Sequence, residues 1–392
     1  MRIPRILLGM AIASILLVSC NNSEELTKNP TNELSNLDLV NKKEVTLDFI
    51  DLMKNDDFKK VTLEMLSKQK PSVEMSKILD GASGFVSEQK AFKDLDNKTS
   101  ELKSKANAET APEKIEILEV WMHLPEGVDA RASNDLLFSF APKGEENDWK
   151  QIEAYTLDKE LVYLDAHEAP NRPVIVIETD GFETLKKEVE YMNKFLREEG
   201  VQNNRFNGKK IMNVVNPAKT SGLETTKLNK IRLNDDEEPW ISGAAEVYAI
   251  TSGIKDDSKS PEIKIIPMYY LDYDGTDYYP NQVLLFWDDY KYQAANIQLF
   301  EKDDNVNYKD LVSTIVSGVF QIIGTVSTQP WVNVLGQVAG AIIQAMPNSW
   351  YTNNDDYVDS FYTIEKNKSY NNHYGARGNA KVNLAPYFIA SN

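Results

Sequence analysis

The apolar positions of this chain change their spacing along the sequence, and each spacing predicts a different kind of element. Between residues 43 and 107 they recur every three or four positions, as in Val45, Phe49 and Leu52, which is the period of helices with one buried face. After Pro112 the apolar runs become short and are separated by Pro, Gly, Asn and Asp, which is typical of strands joined by turns. The first half therefore predicts helices followed by a small β region.

This β region contains several predicted strands and one predicted helix. The strands are predicted at 115–121, 136–140, 152–155, 161–164 and 174–177, and the helix at 182–197, where apolar residues again share one face. Residues 200–226 are rich in Asn, Gly, Lys and Thr, and we interpret them as a domain boundary. The folded part of the chain then divides into 43–200 and 227–392.

The second half predicts an antiparallel β-sandwich that is interrupted by one apolar segment. Residues 311–354 contain no Asp, Glu, Lys or Arg, and their two apolar halves meet at a turn with Pro330. Each half is slightly short for a bilayer and carries polar residues, which favours a buried helical hairpin over 311–346. Membrane insertion and a partner-binding hairpin remain alternatives. Gly336 and Gly340 have the spacing at which helices approach closely. The predicted fold class is α+β.

The first twenty residues have the pattern of an exported leader that ends in a cysteine. Two arginines precede an apolar stretch at 6–18, which is too short for a membrane span, and Leu17-Val18-Ser19-Cys20 closes it. This run resembles the lipobox of Gram-negative lipoproteins, in which the cysteine is acylated as the leader is removed. The resemblance implies a signal peptide at 1–19 and a lipid anchor on Cys20, followed by a polar tether through residue 42.

The residues after the anchor bear on localisation. The residue after the cysteine is Asn21 rather than Asp, and in this respect the sequence resembles lipoproteins that are sorted to the outer membrane. Ser23-Glu24-Glu25 is similar to acidic signals that send some of these proteins to the cell surface, although a soluble tether would have the same composition. We therefore expect an outer-membrane lipoprotein that faces the periplasm or the cell surface and contacts the membrane through its acyl chains.

Composition narrows the range of functions. Cys20 is the only cysteine, which excludes an internal disulfide, a catalytic thiol and a zinc site built on thiolates. The formal net charge is −17, and no single segment provides the basic footprint that nucleic-acid binding requires, so no nucleic-acid partner is expected. No Gly-Xaa-Ser-Xaa-Gly motif and no phosphate loop is found. These patterns favour a binding or structural module over an enzyme.

Acidic residues crowd the ends of the predicted strands in the second half. Residues 235–310 contain 17 Asp and Glu against 6 Lys, and alternate loops of an antiparallel sandwich gather at one end. Converging carboxylates repel one another unless a hard cation binds them, and Ca²⁺ takes six to eight oxygen ligands. Gly275 permits a tight turn within one acidic loop. The predicted calcium ligands are Asp235, Asp236, Glu238, Asp272, Asp274, Asp303 and Asp304.

Two other interpretations of these acidic loops stay open. They are solvated strand ends, or they contain a catalytic carboxylate pair of the glycosidase type, which would make the protein a secreted hydrolase with an acidic active site. A membrane-active protein that uses the 311–346 hairpin is a further alternative.

Aromatic residues are frequent between 269 and 292, where exposed rings would suit a glycan ligand and buried rings would form cross-strand pairs. A protein is an alternative to a glycan as the ligand.

Several runs of the second half resemble one family. They are 235–248, 270–273 with 279–282, 294–296, and 301–304 with Asn307-Tyr308, and together they look like the secreted bacterial family of unknown function numbered 3103. The resemblance covers roughly residues 115–389 and implies no reaction. The acidic run before Glu246 is also similar to the metal-binding edge of calcium-dependent C2-like sandwiches, which implies loop aspartates as calcium ligands.

Overall fold

The fold is described from a computed structural model. It covers residues 39–68, 72–110, 112–130, 135–144, 146–203, 222–235, 239–243, 245–255, 260–271, 273–302, 307–323, 331–346 and 357–390. Within these residues the chain forms seven α-helices and three β-sheets, and the α+β fold class predicted from the sequence is confirmed. The predicted leader, Cys20 and most of the predicted tether lie outside the described residues.

Four helices open the described part of the chain. They are α1 (Lys42–Met53), α2 (Asp56–Lys68), α3 (Met75–Val86) and α4 (Lys90–Ala106). The break between α1 and α2 is made by Asn55, whose side-chain oxygen accepts the backbone N–H of Phe58 at 3.0 Å and so caps α2. The apolar stripes meet in one core, where the Phe49 and Phe58 rings lie 5.7 Å apart. The three- and four-residue spacing therefore produced helices with one buried face.

The helices cover one face of a six-stranded sheet. Its strands are β1 (Val73–Glu74), β2 (Glu119–His123), β3 (Leu137–Ser139), β4 (Gln151–Tyr155), β5 (Leu161–Asp165) and β6 (Val174–Glu178). Their order is β1-β2-β6-β3-β4-β5, and only the β3–β6 pair is parallel among the described strands. Val120 and Phe138 pack into the helical core, whereas Ile241, from a later segment of the chain, is buried on the opposite face.

The second half forms the predicted sandwich. One sheet has the order β10-β7-β14-β13 and the other β12-β11-β8-β9, both antiparallel. The strands are β7 (Gly222–Leu233), β8 (Val247–Ile254), β9 (Pro261–Pro267), β10 (Gln282–Phe286), β11 (Ala294–Glu301), β12 (Tyr357–Glu365), β13 (Tyr370–Tyr374) and β14 (Ala380–Ala390). Leu228 and Val382 from the first sheet pack against Ile297 and Phe361 from the second. Burying these alternate side chains leaves the other face of β7 and β14 toward solvent.

A helical layer covers the outer face of the second sheet. It consists of α5 (Phe182–Glu198) and the predicted hairpin, formed by α6 (Tyr308–Ile323) and α7 (Trp331–Ala345). Two side-chain amides of β11 fix α7 to the sheet: Asn296 Nδ2 donates to Leu335 O at 2.9 Å, and Gln298 Nε2 donates to Ala339 O at 3.2 Å. None of the described helices combines the length and apolar character needed to cross a membrane.

The structure corrects the predicted helix contact at the glycines of α7 and adds a detail to the segment interpreted as a domain boundary. Gly336 lies on the exposed side of α7, and a Cβ added at Gly336 or Gly340 would meet no atom within 4 Å. The close approach occurs instead at Gly318, where an added Cβ would lie 3.7 Å from Ala341 Cβ. The segment interpreted as a domain boundary also contains the start of β7, because Gly222 already pairs with Ala390.

Candidate functional site

Two of the loops that contain predicted calcium ligands, the one after β7 and the one before β10, have described residues that the fold brings together. The end of β7 pairs with the start of β14 through Leu233 and Ala380, and Gly275 N–H donates to Leu233 O at 2.8 Å. Gly275 adopts the positive φ of 60° that its turn requires. The described parts of these loops therefore lie at one end of the sandwich, as alternate loops of an antiparallel sheet should.

Only two of the seven predicted ligands lie in the described residues. Asp235 follows β7, where its backbone N–H donates to Asn379 Oδ1 at 2.9 Å, and Asp274 precedes Gly275. The others, Asp236, Glu238, Asp272, Asp303 and Asp304, lie outside the described residues. Within the described ranges no three His, Cys, Asp or Glu side chains are grouped closely enough to hold a metal ion. The calcium site therefore stays a prediction.

The turn that contains Asp274, Gly275 and Asp277 also lies beside basic side chains that the sequence interpretation missed. Asp277 Oδ2 lies 2.7 Å from Lys230 Nζ, and a Cβ added at Gly275 would lie 3.5 Å from Arg232 Nη2. Both cations are on the outer side of β7. The turn therefore packs along a row of basic side chains, and one of its carboxylates is already paired.

These cations belong to a surface on the outer face of the first sandwich sheet. Three of the cations, Lys227, Lys230 and Arg232, lie on β7. The fourth, Lys381, lies on β14 directly opposite Arg232. Exposed tyrosine rings flank the lysines. We call this surface the cation–tyrosine face and define it by Lys227, Lys230, Arg232, Lys381, Tyr279, Tyr374 and Tyr387.

Each lysine of the cation–tyrosine face lies near one tyrosine ring. Lys227 Nζ is 4.7 Å from the centroid of Tyr387, and Lys381 Nζ is 5.5 Å from the centroid of Tyr374. Lys230 Nζ is 5.9 Å from the centroid of Tyr279. The three tyrosines remain 46–65% exposed, so part of each ring is in contact with solvent. Rings that pair with a cation and still face water can also contact a ligand.

The charges of this face are only partly neutralised. Among the described residues, Lys230 is the one member of the face with a carboxylate within 4 Å. The hydrogen bond from Lys230 lowers the pKa of Asp277, and the charges of Lys230, Arg232 and Lys381 act in the same direction. Like charges directly opposite on neighbouring strands, such as Arg232 and Lys381, are destabilising. An anionic ligand would relieve this repulsion.

A second cluster that the sequence interpretation missed is a row of glutamates across the six-stranded sheet. Glu74, Glu119 and Glu178 are direct cross-strand neighbours on β1, β2 and β6. A Cβ added at Gly181 would lie 2.5 Å from Glu178 Oε1 and 3.2 Å from Glu119 Oε1, so the two carboxyl groups surround this glycine. The sequence signal for Glu119 and Glu178 was a single acidic residue at the end of a mainly apolar strand, whereas Glu74, on the two-residue β1, had no such signal.

The contacts of these glutamates are structural. Burial raises the pKa of Glu119 to about 7, while Ser72 Oγ donates to one of its oxygens and Glu183 N–H donates to the other at 2.8 Å. Glu119 therefore caps the first turn of α5. Burial alone would raise the pKa of Glu74, but hydrogen bonds led by that from Lys103 lower it to about 2.

A further pair of buried carboxyl groups lies at the opposite end of the sandwich. Asn203 N–H donates to both oxygens of Glu262, at 2.9 and 3.1 Å, and Asn203 Nδ2 donates to Asp289 Oδ1 at 3.2 Å. Burial, reinforced by the charge of Asp289, raises the pKa of Glu262 to about 8. The pair ties the residues after α5 to β9, and Lys264 Nζ lies 3.9 Å from Asp289 Oδ2.

The fold and these contacts define a class: an α+β protein whose β-sandwich carries helices on one side and a sheet face with four cations on the other. The model of the family described as protein of unknown function DUF3103 matches residues 42–392, and the chain belongs to that family. No curated protein and no solved structure is similar enough to the chain to count as a match.

Proposed function

We propose that this protein is a binding module of the cell envelope, anchored through lipid on Cys20, and that it binds an anionic ligand at the cation–tyrosine face. The observation that carries the proposal is the assembly of four cations on two neighbouring strands of a chain whose net charge is −17. A local positive field within an acidic protein concentrates an anionic partner at one place and repels it elsewhere.

Binding accounts for the described carboxyl groups better than catalysis does. Glu119 serves as a cap for α5, and Glu262 is held by the backbone of Asn203, so each already has a structural role. The secreted hydrolase with an acidic active site needs two carboxyl groups that face a substrate. We therefore place the function on the cation–tyrosine face, where three tyrosine rings are 46–65% exposed beside the cations.

Calcium remains part of the proposal as a support for the binding surface. The turn that contains Asp274 also contains Gly275 and Asp277, which contact the end of β7 and Lys230. An ion bound by the acidic loops would stiffen this turn and so fix the position of Asp277 beside the cations. The ion has no other role in the proposal.

The test compares two triple variants of the full chain. Lys227→Gln, Arg232→Gln and Lys381→Gln remove charge from the cation–tyrosine face, whereas the control, Lys60→Gln with Lys90→Gln and Lys150→Gln, removes the same charge from exposed sites of the N-terminal region. Equilibrium binding to polyphosphate and to polygalacturonate is measured at low and physiological salt.

We expect the wild type and the control to bind at least one polyanion and to lose affinity as salt rises. The face variant should lose about 100-fold in affinity, since an exposed charge pair contributes up to about 1 kcal/mol and three are removed. Absence of binding to both polymers, or equal binding by the two triple variants, would refute the proposed function.

A further inference from the structure

We propose that the ligand of the cation–tyrosine face is a carboxylated polysaccharide, a chain of uronic acid units, and that Asp277 competes with its carboxylates. This inference rests on the proposed function and names the class of ligand. Two features of the face carry it: the alternation of cations with exposed rings, and the built-in carboxylate beside Lys230.

The alternation of charge and ring suits a sugar acid. A uronic acid unit offers a carboxylate at one edge and a face of C–H groups, so it can pair with an ammonium group while it stacks on a neighbouring ring. Lys381 with Tyr374 and Lys227 with Tyr387 provide such combinations at 5.5 and 4.7 Å. A small inorganic anion would use the cations and leave the rings without a role.

The length of the face suits a polymer. Lys227 and Arg232 are five residues apart on β7, so the row of cations extends over roughly 16 Å at 3.3 Å per residue. Several units of a chain can therefore bind at once, and the second and later contacts form at high effective concentration. A single sugar would engage only one cation and one ring.

The density of charge along the polymer favours a polysaccharide over a nucleic acid as the ligand. Duplex DNA carries one charge per about 1.7 Å, and a protein of net charge −17 repels such a dense polyanion over most of its surface. A uronic acid chain has at most one charge per sugar ring, so this repulsion is weaker while the contacts with the tyrosines are retained. The prediction of no nucleic-acid partner remains compatible with the positive face.

Asp277 occupies the place of a ligand carboxylate. Its Oδ2 lies 2.7 Å from Lys230 Nζ, and the fields of Arg232 and Lys381 reach it as well. A bound carboxylate must displace this contact or share Lys230 with it. Asp277 therefore lowers the affinity for any anion and sets a threshold that a polymer, with several simultaneous contacts, can exceed.

The experiment measures binding of the full chain to polygalacturonate, to its methyl-esterified form, to polyphosphate and to duplex DNA. Three variants are compared with the wild type. They are Asp277→Asn, Tyr374→Ala with Tyr387→Ala, and the matched control Tyr163→Ala, an exposed tyrosine on β5. A melting curve for each variant verifies that it is folded.

Polygalacturonate should bind most tightly, and esterification should remove the binding because it removes the charge. Asp277→Asn should raise the affinity about fivefold, the effect of one exposed charge pair. The double tyrosine variant should lose about tenfold, and the control should be unchanged.

The outcomes separate this inference from the proposed function. Binding of polyphosphate or DNA as tight as that of polygalacturonate, with no effect of the tyrosine substitutions, would overturn the inference and leave an anion-binding face in place. Loss of affinity in Asp277→Asn would overturn the role given to that residue. If the face triple variant binds both polyanions as the wild type does, the proposed function itself fails.

Discussion

Asp359 holds the turn that positions part of the cation–tyrosine face, and its removal is a sharp test of the fold. The carboxylate is fully buried at the start of β12 and accepts three backbone N–H groups, from Ser360 at 2.7 Å, Arg377 at 2.8 Å and Ala380 at 2.7 Å. It also lies so close to Gly375 that a Cβ added there would be 2.1 Å from its Cγ. One side chain thus supports the whole connection between β13 and β14.

The loss of stability in Asp359→Ala depends on whether these three N–H donors find another acceptor. Arg377 is exposed, so its N–H can turn to water at little cost, whereas Ser360 and Ala380 are buried. A buried donor left without an acceptor costs about 1–3 kcal/mol. With two such donors, the substitution should lower the free energy of unfolding by about 2–6 kcal/mol. Asp359→Asn keeps one acceptor oxygen but turns an NH₂ group toward a donor, so its cost should be smaller.

Urea unfolding of the full chain measures the change, with Asp96→Ala as the control. Asp96 is exposed on α4, and its removal should alter the free energy of unfolding by less than about 0.5 kcal/mol. Hydrogen exchange at the amide of Ala380 provides a local readout and should accelerate in Asp359→Ala. A loss of stability below 1 kcal/mol together with unchanged exchange would refute the role of Asp359.

Four other predictions concern the anchor, the acidic loops, a buried acid and the hairpin. Cys20→Ser should move the protein from the membrane fraction to the soluble fraction, and unchanged partition would contradict lipidation. Calcium should raise the melting temperature and chelator should lower it, with a smaller shift in Asp274→Asn; equal melting in both conditions would remove the calcium site. The raised pKa of Glu262 means that the folded state binds its proton more tightly, so stability should fall as pH rises from about 4.5 to 8, and Glu262→Gln should flatten this loss in urea titrations at several pH values. Gly318→Leu should cost about 1–3 kcal/mol by overpacking, whereas Gly336→Leu, at an open site, should not; equal costs would contradict the observed contact between α6 and α7.

Local patterns in the sequence were sufficient for most elements. The three- and four-residue spacing predicted α1 and α2 because a helix buries one stripe of side chains. The hairpin was recognised because a long segment without charge must be covered, and α6 and α7 do bury their apolar stripes against a sheet. These features depend on neighbours within a few residues, so one sequence contains enough information to predict them.

The start of β7 was missed because its buried residues are polar. Thr225 and Thr226 are buried although they are not apolar, so the composition of the segment resembled that of a linker. Strand assignment by composition fails at such places, since only pairing with β14 shows which positions are inside. The predicted helix contact at Gly336 and Gly340 was wrong for a related reason. Spacing shows that two residues share one face of a helix, but it does not show what that face packs against.

The cation–tyrosine face was not detectable in the sequence. Its cations come from β7 and β14, which are about 150 residues apart, and no single segment is strongly basic. Antiparallel pairing places Arg232 opposite Lys381, and the turn that carries Asp277 reaches the same face through Gly275. Local spacing determines which elements form, because that depends on short-range periodicity. Which charges meet depends on long-range strand pairing, and only the tertiary structure decides it.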